Sequence, residues 1–285
     1  MVRHHGWVLE GTAKLAEMVA GGGVAVLTGA GISTESGIPD YRGPDGVQVR
    51  HAPMTYQTFT RDAAARRRYW ARSHLGWRTI ARAAPNAGHR AVAELQRHGL
   101  LTGVITQNVD GLHQAGGAGG VIELHGNLDR VVCLDCGDAT TRDRLDDRLR
   151  LVNPRFDARV IAVNPDGDVD LPDDEVDRFR IVGCQACGRG TLKPDVVFFG
   201  ETVPRARVDA SFAVVEGARM LLVLGSSLTV MSGRRFVLRA AKLGIPVAIV
   251  NRGATRGDDY ATLTLDARLG TVLPDLLPMI KASLK

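Results

Sequence analysis

Val24-Ala-Val-Leu-Thr28-Gly29-Ala-Gly31-Ile-Ser33-Thr-Glu-Ser36-Gly37 passes from an uncharged apolar run into a glycine turn and then into a Ser/Thr-rich segment. The run Val24–Thr28 shows no polar alternation, so it reads as a strand buried on both faces, ended by Gly29-Ala-Gly31. A strand leading into glycines and then helix-start residues is an arrangement suited to phosphate. Upstream, residues 9–20 carry apolar side chains at helical spacing, and Gly21-Gly22-Gly23 breaks that helix. Downstream the alternation repeats. His89–His98 reads as a helix, Leu101–Thr106 and Val121–Leu124 as strands, and Met220–Leu224 as a strand running into Gly225-Ser226-Ser227. Gly233–Leu243 is a further helix, Pro246–Asn251 a strand and Leu273–Ser283 a closing helix. Strands alternating with helices predict an α/β fold, a doubly wound parallel sheet of Rossmann-like type. Ligands of such sheets bind at the carboxyl ends of the strands. Those ends are Gly29-Ala30-Gly31, Gln107-Asn108-Val109-Asp110, Gly225-Ser226-Ser227 and Asn251-Arg252-Gly253, all small or polar.

Between about 126 and 194 the texture changes to Cys, Asp, Arg and turn residues. All four cysteines of the chain fall here, as Cys133-Leu-Asp-Cys136 and Cys184-Gln-Ala-Cys187, each pair followed at once by glycine (Gly137, Gly188). Two such knuckles can close a tetrahedral thiolate site, which predicts one zinc ion. Two redox pairs would be the other use of this spacing. Spending every cysteine on matched knuckles favours the metal, and the lack of a fifth cysteine or neighbouring histidine makes it structural.

With 285 residues, 45% hydrophobic and 24% charged, the chain has ordinary globular composition. That excludes a disordered chain, a collagen or a coiled coil. No apolar run approaches the ~20 residues that span a bilayer, and no signal peptide is visible, so the expectation is a soluble cytoplasmic protein without a membrane partner. The 36 basic residues outnumber 31 acids, for a net charge of +5, and only five of them are lysine. Residues 61–82 hold seven Arg and one acid, with Tyr69, Trp70 and Trp77 interleaved, and read as a helix lying on the surface. So modest a net charge steers acidic partners without specifying one. Nucleic acid is not an expected partner.

The segment Gly29–Arg42 departs from the dehydrogenase fingerprint, because its third glycine comes six positions after the second. As a whole it closely resembles the NAD-binding signature of the sirtuins, the NAD-dependent protein-lysine deacylases. The same holds for Thr106-Gln107-Asn108-Val109-Asp110-Gly111-Leu112-His113, for Leu124-His125-Gly126, for both cysteine pairs, for Leu192–Gly200, for Gly225-Ser226-Ser227-Leu228 and for Asn251. The motifs stand in order from about 9 to 280.

The resemblance implies an enzyme that joins an acyl-lysine carbonyl oxygen to the ribose carbon bearing nicotinamide. It releases nicotinamide and O-acyl-ADP-ribose, with NAD as co-substrate and acyl-lysine proteins as partners. It assigns the general base to His125, a role that a neutral imidazole suits near pH 7. Asn108 would orient the ribose or a water, and Asp110 would accept from the nicotinamide carboxamide. Gly29, Ala30, Gly31, Ile38, Pro39, Asp40, Tyr41, Arg42, Gln107 and Val109 would line the NAD site, with Gly225, Ser226, Ser227, Asn251, Arg252, Gly253 and Leu269 toward the adenosine. Tyr41 stands where many relatives have Phe. His113 is read as structural. The resemblance also divides the chain. Residues 1–44, 86–125 and 195–285 would form the Rossmann-like domain, 45–85 a helical insert and 126–194 a smaller inserted zinc-binding domain.

Arg68–Arg72 with Gly76-Trp77, Pro85–His89, Asn164–Asp168 and Leu192–Gly200 resemble the class II branch. That branch includes a mitochondrial member with lipoamidase and ADP-ribosyltransferase activities, so mono-ADP-ribosyl transfer and removal of longer acyl groups are alternatives on the same site. Tyr69 and Arg72 have the spacing that another branch uses to hold an acyl carboxylate, which would suit succinyl or glutaryl groups.

Overall fold

The computed structural model describes residues 2–40, 53–156, 169 and 171–283. Its strands are β1 (Val24–Thr28), β2 (Leu101–Thr106), β3 (Ile122–Glu123), β4 (Gly126–Cys133), β5 (Ala139–Thr141), β6 (Leu192–Val196), β7 (Met220–Leu224), β8 (Val247–Asn251) and β9 (Leu263–Asp266). The helices are α1 (Val2–Ala20), α2 (Tyr56–Arg61), α3 (Ala63–Ile80), α4 (Ala87–Arg97), α5 (Leu112–Ala115), α6 (Arg142–Val152), α7 (Asp173–Arg178), α8 (Arg205–Glu216), α9 (Met231–Lys242) and α10 (Leu269–Ser283).

Six strands form one parallel sheet in the order β3-β2-β1-β7-β8-β9. The chain winds outward from β1 through β2 and β3, returns to β7 on the other side of β1, and winds outward again. The direction of winding therefore reverses between β1 and β7, where doubly wound sheets open their ligand crevice. Every residue of β1 and β7 is buried, which explains their unbroken apolar sequences. The pleat divides β1 between two cores. Val24 and Val26 pack with Leu15, Val92 and Leu276 of α1, α4 and α10, while Ala25 and Leu27 pack with Val215 of α8 and Phe236 of α9. The expected doubly wound sheet is thus present. Strand β9, half exposed at the edge and four residues long, is too short for periodicity to reveal. Helix α10 begins four residues before the expected Leu273 and carries Pro274 and Pro278 within it.

A second, antiparallel sheet has the order β5-β4-β6. It shares a third core with α2, α3, α6 and α7, including Phe59, Tyr69, Trp70, Trp77, Leu145, Phe179 and Cys184. Here the structure corrects the expectation that residues 61–82 lie on the surface. Ten residues of α3 are buried, the three aromatics among them. Counting arginines hid an amphipathic helix whose other face is aromatic. Arg142 of α6 is fully buried with its guanidinium over the rings of Trp70 and Trp77, at 5.5 and 5.4 Å. It donates to the Ser73 carbonyl and to Asp146, which also receives His74 Nδ1 at 2.6 Å. A buried cation is tolerable only when paired in this way, and the cluster welds α6 to α3.

Candidate active site

The cavity at the winding reversal encloses about 1080 Å³. Gly29, Ala30 and Gly31 line it after β1, and Gly225, Ser226 and Ser227 after β7. The two turns touch. Gly31 N–H donates to the Gly225 carbonyl at 2.8 Å, and Gly29 N–H to Leu224 O at 3.0 Å. A Cβ on Gly31 would lie 2.8 Å from Gly225 Cα, and one on Gly225 would lie 2.6 Å from Ile32 N. Gly225 also has φ +62°. These glycines let one turn press on the other. The segment after Gly29 forms two single 3-10 turns, Ala30–Ile32 and Thr34–Ser36, where the sequence suggests a helix start. Any anion here meets turn N–H groups and no helix dipole.

After β2, Gln107, Asn108, Val109 and Asp110 all line the cavity. The Asn108 amide donates to Gly29 O at 3.1 Å and Ser33 Oγ at 3.0 Å. Asp110 accepts from Ser33 Oγ at 2.6 Å and from Leu112 N–H at 2.9 Å, which leaves carboxylate lone pairs free to accept more. Ser33 therefore ties the two strand-end loops together. Its motif was visible in the sequence, but nothing there distinguished its hydroxyl from its neighbours'.

His125, in the turn between β3 and β4, faces the same cavity. Its Nδ1 lies 2.9 Å from Gln107 O, and Nε2 lies 2.8 Å from Ser232 Oγ. A carbonyl only accepts, so Nδ1 carries the proton and Nε2 offers its lone pair. Burial lowers the His125 pKa, partly opposed by the bond to Gln107, while the charges of Arg235 and Arg207 lower it further. The imidazole is thereby kept neutral. His113 is buried, 2.9 Å from Thr28 Oγ1, and desolvation with the neighbouring His89 lowers its pKa to about 3.

Asn251, Arg252 and Gly253 line the far end of the cavity, where the Asn251 amide donates to Arg252 O and Gly253 O at 2.8 and 2.9 Å. Ile38 and Asp40 line it as well, whereas Pro39 does not. Leu269 is buried in the core at the start of α10, away from the cavity wall, because the helix begins there and turns the side chain inward. Tyr41, Arg42 and Asn164–Asp168 lie outside the described residues. Val196–Glu201, largely within the Leu192–Gly200 motif, forms one cavity wall. Buried Lys193 secures it, bonding Glu201 at 2.9 Å and the Val196 carbonyl.

The four cysteine sulfurs lie within 4.8 Å of one another, with Cys133–Cys187 at 3.8 Å and Cys136–Cys184 at 3.7 Å. Ligands about 2.3 Å from a tetrahedral zinc sit about 3.8 Å apart, so the donor set and spacing fit the ion. Gly137 and Gly188 adopt φ +76° and +79° in the two knuckles. The N–H groups of Arg189 and Gly190 lower the Cys187 thiol to about 7. Cys136 is pushed up to about 12 by its contact with the other sulfurs, although Asp138 N–H favours its thiolate. Four thiolates this crowded need a cation between them.

A crevice at the winding reversal, a neutral histidine in its wall, and a separate four-thiolate module define a nucleotide-binding α/β enzyme with a structural metal. The Sir2 family profile matches residues 29–232. The chain is 63% identical to NAD-dependent protein deacetylase 1 of Streptomyces coelicolor, over 92% of this chain and 87% of that one. It is 48% identical to the mitochondrial NAD-dependent protein lipoamidase sirtuin-4 of Bos taurus, over 89% of this chain and 81% of that one. A solved Sir2–p53 peptide–NAD+ complex superposes with TM-score 0.72 at 30% identity, covering 92% of this chain and 94% of that one. The chain belongs to the Sir2 family, the sirtuins.

Proposed function

We propose that this chain is an NAD-dependent protein-lysine deacylase that releases nicotinamide and O-acyl-ADP-ribose. The observation that carries the reading is His125, held neutral and protonated at Nδ1, in the wall of the cavity that Asn108 and Asp110 also line. NAD+, when bound, supplies a ribose carbon bearing a cationic leaving group. Asp110 has spare lone pairs for an amide hydrogen of the carboxamide, and Ser33 keeps it in place. Asn108 tethers the glycine turn to the β2 end and sets the spacing between them. His125 takes a proton from a ribose hydroxyl at Nε2, which a neutral imidazole does well near pH 7; the Ser232 hydroxyl, which occupies that lone pair in the ligand-free protein, yields it to the ribose hydroxyl when NAD+ binds. The touching turns at Gly31 and Gly225 would hold the dinucleotide. Zinc would be held by Cys133, Cys136, Cys184 and Cys187 and take no part in the chemistry. Residues 1–44, 86–125 and 195–285 serve as the NAD domain in this reading, with 45–85 and 126–194 as the smaller lobe. Among the described residues no helix is long and apolar enough to cross a membrane. Cysteines held reduced for a metal accord with a cytoplasmic site of action.

Removal of longer acyl groups is a second reading, favoured by the apolar wall of Ile80, Leu128, Val196 and Phe198 and by the likeness to a lipoamidase. An acidic acyl group receives less support. Tyr69 reaches the cavity wall, but Arg72 does not line it, and its Nε donates to Val169 O. Incubation with NAD+ and peptides carrying acetyl-, lipoyl- and succinyl-lysine, with products identified by mass, tests the proposal. O-acyl-ADP-ribose should form. ADP-ribose attached to protein without loss of acyl groups would favour transfer instead, and no NAD+-dependent product would refute both.

A further inference from the structure

His125 is held at both ring nitrogens, and the second partner comes from a distant element. Ser232 is the second residue of α9, is half-buried, and lines the cavity. Its Oγ lies 2.8 Å from His125 Nε2 across 107 residues of sequence. Since Gln107 O fixes the proton on Nδ1, the Ser232 hydroxyl must be the donor to Nε2. Gly233, the next residue, packs against the Gln107 side chain so closely that a Cβ would lie 2.3 Å from its Oε1. The start of α9 is thus seated on the same β2 end that holds Nδ1.

We propose that Ser232 is a positioning residue for the general base: its hydroxyl, opposite the Gln107 carbonyl, fixes the ring plane and tautomer of His125 and favours its unprotonated state. This rests on the deacylase reading. The hydroxyl stabilises whichever form of Nε2 carries a lone pair, so its loss favours protonation. The other groups acting on this ring are Arg235 on α9 and Arg207 on α8, both opposing protonation. Arg207 is itself paired with Asp195, at 3.0 and 3.1 Å. Ser232 is the one uncharged side chain bonded to the ring among the described residues.

The test compares Ser232→Val with Ser232→Thr, which differ by a hydroxyl at nearly constant volume, and adds Ser232→Ala. Imidazole 15N shifts of His125 in the ligand-free protein should show the Nδ1–H form in wild type. In the Val and Ala variants the His125 pKa should rise by about half to one pH unit, the worth of one hydrogen bond. The acid limb of kcat/KM, which reports the free enzyme, should move up with it, and on that limb, at a pH below both pKa values, kcat/KM should fall about three- to tenfold. Thr should restore the wild-type titration and profile. Unchanged 15N shifts and pH profile in the Val variant would overturn the proposal even with the enzyme active. So would equal loss in Thr and Val, which would mark a steric role. Failure of the wild type to deacylate would instead defeat the deacylase reading, while leaving the 15N titration to judge Ser232.

Discussion

Replacing Gly225 by alanine should pry apart the two turns that floor the crevice. Two costs add. At φ +62° a Cβ is strained by about 1–2 kcal/mol. That Cβ would also lie 2.6 Å from Ile32 N and 2.7 Å from Gly31 C, so the turns must separate, weakening the 2.8 Å bond from Gly31 N–H to Gly225 O, worth about 0.5–1.5 kcal/mol. Together the loss is about 2–3 kcal/mol, or a fall in Tm of about 5–10 °C for a chain of this size. NAD+ affinity should drop about tenfold or more, since a displacement that forfeits 1.4 kcal/mol of contact costs a factor of ten. Gly244 supplies the control. It has φ +69° but nothing within 4 Å of its would-be Cβ, so Gly244→Ala should show the backbone cost alone and bind NAD+ normally. Calorimetric melting and titration of both variants decide the matter. If Gly225→Ala binds NAD+ as Gly244→Ala does, the touching-turn explanation is wrong.

His125→Ala should cut O-acyl-ADP-ribose formation at least about a hundredfold with fold and metal retained; activity within a few fold of wild type would remove it as the base. Burial lowers His89 to about 4 and His113 to about 3, so the unfolded chain takes up protons that the native state refuses. Stability should therefore be complete above about pH 6.5 and fall as pH drops toward 4; His113→Gln should flatten part of that slope in denaturant titrations at pH 7 and 5. Gly190→Ala should lose its metal in native mass spectrometry, because a Cβ there would meet Cys133 Sγ at 2.2 Å and Cys187 Sγ at 2.7 Å, and Cys133→Ser should do the same. A variant that kept one zinc per chain would show the sulfurs to be more loosely held than their spacing implies.

Local signals carried much of this molecule. The apolar runs Val24–Thr28 and Met220–Leu224 declared fully buried strands, and the glycine and Asn-Val-Asp clusters at strand ends marked the crevice before any coordinates. Matched cysteine knuckles announced a thiolate site, since their spacing is itself the local geometry. Reading by composition failed at α3, where arginine count outweighed the pattern of Tyr69, Trp70 and Trp77, and those rings proved to be core. The family resemblance places Leu269 toward the adenosine, yet the first turn of α10 carries it inward.

The sequence alone determined the parallel sheet and the matched cysteine pairs, because strand burial and knuckles are set by neighbours along the chain, whereas the role of His125 followed only from the resemblance of its motif to the family's. Only the tertiary structure decided that Gly31 and Gly225 are glycines for each other's sake, that Ser33 joins Asn108 to Asp110, and that Ser232 faces Nε2 of His125. Those contacts join residues dozens to hundreds of positions apart. They exist because the winding reversal brings the ends of β1, β2 and β7 to one point, and no pattern within any one segment encodes which hydroxyl arrives there.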